Sequence, residues 1–159
     1  MAKPTVKKAV KNADGKRVAE ATARLLADSY TLYLKTHNYH WNVTGPMFET
    51  LHKMFEAQYT ELAAAVDEIA ERIRALGHPA PGSYGSYAKL ASVPDAGDAV
   101  PEATRMIRDL VTDHETVVRT SREVLRTAEE AGDDVTTDLV TQRMSTHEKT
   151  SWMLRSLVA

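Results

Sequence analysis

Cysteine is absent from the 159 residues. That excludes a disulfide scaffold, a thiol nucleophile and a thiolate metal site, and it makes the cytoplasm the expected compartment. No run approaches 18 uninterrupted apolar residues, so no membrane-spanning helix is expected. The most apolar early stretch, Leu25 to Leu34, is cut by Asp28 and framed by Arg24 and Lys35, which excludes a secretory core there. An excess of one charge is also lacking. The chain has 20 Lys and Arg against 22 Asp and Glu, a net charge of −2, so bulk charge alone does not make it a nucleic-acid binder. Glycine and proline are scarce, 7 and 6 residues, and they cluster at Gly45-Pro46, from Gly77 to Pro101, and at Gly132. What is present is 43% hydrophobic and 26% charged residues. This composition supports one folded core, is too short for two, and lies far from that of a disordered chain.

Between the breaks, Ala, Leu, Glu, Arg, Thr and Val recur at helical spacing. The pattern predicts a helix from Lys16 to Asn42, a second from Pro46 to Leu76, a third from Pro101 to Ala131 and a fourth starting at the N-cap Asp133. The stretch from Gly77 to Val100 is too long for an ordinary loop. Extended, it reaches ~79 Å, whereas a helix of about 30 residues is only ~45 Å long. It can therefore cross the whole bundle and carry a short helix, placed over Tyr87 to Val93. The expected fold is all-α: a ferritin-like four-helix bundle, residues 16–159, with one long crossover. Residues 1–15 are expected to form a flexible basic tail.

The second helix carries His52, Glu56, Asp67 and Glu71. At about 100° per residue they fall near 0°, 40°, 60° and 100°, on one stripe. Ala63 shares that stripe and permits close approach of another helix. His52 and Asp67 lie roughly 22 Å apart along the axis, too far for one metal ion with ligand bonds of about 2.0–2.2 Å. An antiparallel copy of the helix solves this. With the two-fold midway between positions 61 and 62, His52 meets the partner's Glu71 and Glu56 meets the partner's Asp67. The contact is self-complementary. It makes two equivalent sites of imidazole and carboxylate, a donor set suited to iron, manganese or zinc. His40 ends the first helix, and the short Gly45-Pro46 turn brings it level with His52, so it joins the ligand candidates. His37 lies on the same face. His78, His114 and His147 are read as structural.

These residues sit in the segment KTHNYHWNVTGPMFETLHKMFEAQYTELAAAVDEIAERIRALG, Lys35 to Gly77, which resembles the core motif of the Dps family, the ferritin-like mini-ferritins. Both histidines, Trp41, the Gly-Pro turn and the Asp-x-x-x-Glu pair match at the family's spacings. The resemblance implies a ferroxidase site between two subunits, with His40, His52 and Glu56 from one and Asp67 and Glu71 from the other. Many members carry Asp where Glu56 stands. It further implies Trp41 as an auxiliary redox group and a homododecamer built from two-fold dimers that stores ferric iron. Hydrogen peroxide is the favoured oxidant by resemblance, although the ligand types alone do not choose between peroxide and dioxygen. By the same analogy Glu130, Asp134 and Asp138 line a cation-attracting pore, although acidic residues at a helix start also stabilise its dipole.

The residues also bear on three other functions. A conventional ferritin site inside each bundle needs Glu-x-x-His on two helices. Glu49 and His52 supply one, but Met144 stands three before His147. A DNA-binding role draws on Lys3, Lys7, Lys8, Lys11, Lys16 and Arg17 against Asp14, a local charge of +5 that leaves −7 on the rest. Such a tail binds phosphates without reading sequence, and twelve copies add avidity. A site-free scaffold is the third.

Overall fold

Helical periodicity organises the computed structural model, which describes residues 12–159. Five helices run in the order α1 (Asn12–Asn42), α2 (Phe48–Ala75), α3 (Tyr84–Leu90), α4 (Ala103–Ala131) and α5 (Asp134–Arg155). No strand occurs among the described residues. α1 packs along α2 and α4, α4 along α5, and α3 lies on α1. This is the all-α bundle with one crossover that the connection lengths predict. The basic residues Lys3, Lys7, Lys8 and Lys11 lie outside the described residues.

α4 starts at Ala103, two residues after the expected Pro101, and three further differences lie at α1, at Pro46 and at α3. α1 is already helical at Asn12, the first described residue, ahead of the expected Lys16, with Asp14 in its first described turn. Pro46 is not in the first turn of α2. It lies in the preceding turn, where Phe48 N–H donates to the Gly45 carbonyl at 3.0 Å and Gly45 takes φ +101°, a conformation natural to glycine. α3 begins at Tyr84 rather than Tyr87 because the Ser83 hydroxyl accepts from the Ser86 amide. At the α4–α5 corner the expectation holds: Gly132 adopts the left-handed conformation, and the Asp133 carboxylate caps α5 by accepting from the Thr136 amide.

The core is built from the inward stripes. Leu25, Leu26, Leu32 and Tyr39 of α1 meet Leu51, Phe55, Leu62 and Ile69 of α2 and Met106, Ile107, Leu110 and Val117 of α4. Side chains of this size each contribute about 1.5–3 kcal/mol when fully buried. Asp28, which only interrupts an apolar run in the sequence, proves to be a structural clamp. It is fully buried and accepts from Ser92 N–H at 2.5 Å, Val93 N–H at 2.9 Å and the Thr120 hydroxyl at 2.6 Å. The crossover is thereby pinned to α1 and α4. Lys35 assists, pairing with buried Asp113 at 2.8 Å and donating to the Pro94 carbonyl. Replacing Asp28 by Ala strands two backbone donors and a hydroxyl, so urea unfolding is expected to show a loss of about 2–4 kcal/mol.

Candidate metal centre

The last turn of α1 and the first turns of α2 are held together by two histidines. His40 Nδ1 donates to the His52 carbonyl at 2.7 Å, and His52 Nδ1 donates to the His40 carbonyl at 2.9 Å. The His40 carbonyl lies in the final turn of α1, where carbonyls lack helical partners, so His52 also serves as a cap. The rings stack with centroids 3.8 Å apart and 18° between planes. A carbonyl can only accept, so each neutral ring carries its proton on Nδ1. Both Nε2 atoms are left with a free lone pair. Ligating histidines are usually oriented this way, through a hydrogen bond from the second nitrogen.

The carboxylates present a different face. Glu56, Asp67 and Glu71 are exposed, and among the described residues no ion pair or hydrogen bond engages them. By contrast Glu49, Glu61, Glu115, Glu130 and Glu148 each have a basic partner. Thr60, Ala63 and Ala64 are exposed between them, a run of small side chains open to close helix contact. Among the described residues, no three His, Asp or Glu of one chain converge on a cation-sized space. The structure thus brings His40 and His52 together. It leaves Asp67 and Glu71 at the other end of the same helix, roughly 22 Å away by the helical rise.

Trp41 is 59% exposed, follows His40 in the chain and makes its ring contact with His37. Its ring lies 4.0 Å from that of His37, His37 stacks on Tyr59 at 4.1 Å, and Tyr59 meets His40 edge-on at 5.1 Å. Phe48 covers the outer face of His52 at 5.0 Å. Burial, and then the nearby His40, push the His37 pKa below its ordinary value. Sequence reasoning missed Tyr59 and Phe48. The available signal was their helical offset from His52, seven residues after and four before.

Glu130, Asp134 and Asp138 are all exposed near the α4–α5 corner. Glu130 is paired with Arg17 at 2.9 Å, and Asp138 accepts from Gln142 at 2.8 Å. The buried acid at this corner is Asp133. Its burial alone raises the pKa, but hydrogen bonds from the Thr136 hydroxyl and amide and from the Arg72 guanidinium outweigh that and hold it below the usual carboxylate value. His114 and His147 are not isolated. They share a 2.8 Å hydrogen bond inside the bundle, an arrangement that a linear reading of two lone histidines overlooks.

A family model described as a ferritin-like domain matches residues 19–159. An uncharacterised low temperature-induced protein of Nostoc sp. is 44% identical, covering 84% of this chain and 75% of its own. DNA protection during starvation protein 2 of Bacillus anthracis is 36% identical over 90% of this chain and 97% of its own. Among solved structures, the Dps protein of Vibrio cholerae, described as one of the ferritin-like diiron-carboxylate proteins, superposes with a TM-score of 0.91. It is 31% identical and covers 100% of this chain and 99% of its own.

Proposed function

On the premise that this chain belongs to the Dps family of ferritin-like proteins, we propose that it oxidises ferrous iron at sites shared between two subunits and stores the ferric product. The observation that carries this reading is the reciprocal His40–His52 lock. It presents two unprotonated Nε2 atoms at one end of α2, while unpaired acids wait at the other. An antiparallel partner helix would bring Asp67 and Glu71 of the second subunit against His40, His52 and Glu56 of the first. The exposed Ala63 and Ala64 fit that close crossing.

The donor set suits the chemistry. Imidazole holds Fe(II), and hard carboxylates favour Fe(III), so oxidation is made easier. With hydrogen peroxide as oxidant, two Fe(II) each give one electron, and H2O2 with two protons becomes two waters. No hydroxyl radical is released. Trp41 would accept oxidising equivalents through the His37–Tyr59 stack. In a shell of twelve subunits, Glu130, Asp134 and Asp138 would line the cation entrance, and the lysines at positions 3, 7, 8 and 11 would bind DNA phosphates without sequence preference.

The test is a crystal soaked in ferrous salt, with the particle mass measured in parallel. Iron bound by His40 and His52 of one chain and Asp67 and Glu71 of another, in a particle near twelve times 17.6 kDa, is the expected result. Iron held wholly by one polypeptide, or a stable monomer, overturns it.

A further inference from the structure

The aromatic contacts at the histidine lock fork at Tyr59. One arm runs through His37 to Trp41. The other leaves in the opposite direction along α1. Tyr59 meets His40 edge-on at 5.1 Å and Tyr33 edge-on at 6.2 Å. Tyr33 meets Tyr30 at 5.6 Å, and Tyr30 stacks on Tyr87 of α3 at 4.9 Å. Every step lies inside the range over which aromatic rings interact, about 4.5–7 Å between centroids. Electron transfer weakens steeply with distance, so a line of touching rings carries charge that isolated rings do not.

Packing alone needs no hydroxyl at these positions. The hydroxyls of Tyr59, Tyr33 and Tyr30 have no hydrogen-bond partner among the described residues, so phenylalanine would fill the same space. Tyr39 and Tyr87 are the contrast. Tyr39 donates to Asp109 at 3.1 Å, and burial together with the Asp109 charge pushes its pKa up. Tyr87 donates to the Pro81 carbonyl at 2.8 Å, a neutral acceptor that takes no proton, and burial raises its pKa. Both hold their protons. Tyr30 is half-buried and lines an open groove of about 700 Å³ between α1, α3 and the crossover. A phenol that loses an electron becomes a strong acid and settles only when its proton departs. Tyr30, at the groove, is the ring of this arm placed to release it.

We propose that Tyr59, Tyr33 and Tyr30 form a relay that carries a one-electron hole from the iron pocket to the groove, where it rests on Tyr30. This rests on the iron-oxidation reading and concerns a pocket that holds a single Fe(II). Peroxide takes two electrons, and one ferrous ion gives one. The second comes from Tyr59, which is refilled by Tyr33, and Tyr33 by Tyr30. The O–O bond breaks, both oxygens are reduced to hydroxide, and the proton shed by Tyr30 converts one hydroxide to water. Fe(II), H2O2 and a tyrosine phenol thus become Fe(III), a tyrosyl radical, hydroxide and water. The hole ends away from the imidazoles and carboxylates that hold the iron.

Protein given one Fe(II) per pocket and then hydrogen peroxide, with a nitroso spin trap present, is mapped by peptide mass spectrometry to test this. The adduct is expected at Tyr30. Tyr33→Phe, which breaks no hydrogen bond, should abolish it there and shift it back to Tyr59 or Trp41. Tyr39→Phe, off the line, should leave the Tyr30 adduct in place. A Tyr30 adduct undiminished by Tyr33→Phe, or an adduct confined to Trp41 in the unaltered protein, overturns the relay. Absorbance of ferric product in the same samples keeps the two readings apart. Ferric iron without a Tyr30 adduct rejects the relay alone, whereas no ferric iron rejects the iron-oxidation reading and the relay with it.

Discussion

Two inactive variants, mixed and reassembled, should oxidise iron again. His40→Ala with His52→Ala removes the imidazoles, and Asp67→Ala with Glu71→Ala removes the acids. Each double variant alone should lose about 100-fold or more in the initial rate of Fe(II) oxidation, since even residues that only support ligands cost 10–100-fold. In a mixed dimer the proposed shared site would leave one pocket doubly defective and the other whole. The whole pocket takes histidines from the acid-lacking chain and acids from the histidine-lacking chain. With random pairing half the dimers are mixed and half of their pockets are intact, so about a quarter of wild-type activity returns. A site confined to one subunit gives no recovery. Stopped-flow absorbance of ferric product separates the two outcomes, and a mixture no faster than its components rejects the shared pocket.

Acid should weaken the bundle through His114 and His147. Both are buried within the α4–α5 packing. Burial pushes each pKa down, with the Arg143 charge adding to the effect on both rings. Above pH 6.5 the rings are neutral in folded and unfolded chains alike, and nothing is lost. Below 6.5 the unfolded chain takes up protons that the folded chain refuses, so stability falls as pH falls toward the folded value of about 3 for His114. Each group contributes up to about 1.4 kcal/mol per pH unit. Because the two rings share one hydrogen bond, the pair is expected to cost about 3–5 kcal/mol between pH 6.5 and 4.5. Urea titrations across this range measure it. His147→Gln, which still accepts from Arg143, should flatten the slope. An unchanged slope in that variant would assign acid sensitivity to the carboxylates instead.

Much of the architecture was legible because its causes are local. The Gly45, Gly77 and Gly132 breaks, the Asp133 cap and the 3.6-residue stripes of α1, α2 and α4 are written in consecutive residues. The His40–His52 proximity was legible for the same reason, since a short turn leaves antiparallel helices no other arrangement. What escaped were contacts between residues distant in the chain. Asp28 reads as a charge spoiling an apolar run, yet its partners are 64, 65 and 92 positions away. The His114–His147 pair spans 33 positions and needs the α4–α5 register, which a pattern of apolar residues does not specify to within one turn. Tyr59 escaped because an aromatic at helical spacing reads as packing. Its stacking on His37 depends on side-chain directions that spacing alone leaves open.

The two faces of α2 have separate employers. Its rear is moored to its own subunit by Glu61 on Arg143 and by Arg72 on Asp133 and Thr136, while on the proposed reading its front would offer the acids and the histidine lock to a neighbour. On the proposed reading, the histidine half of each pocket would therefore be locked before a second subunit arrives. Association would then demand little reordering of the backbone or of the two imidazoles, and the rotamer freedom surrendered would be mainly that of the unpaired carboxylates. Such prefabricated halves join by simple collision, so assembly should proceed as the meeting of finished parts and not as coupled folding.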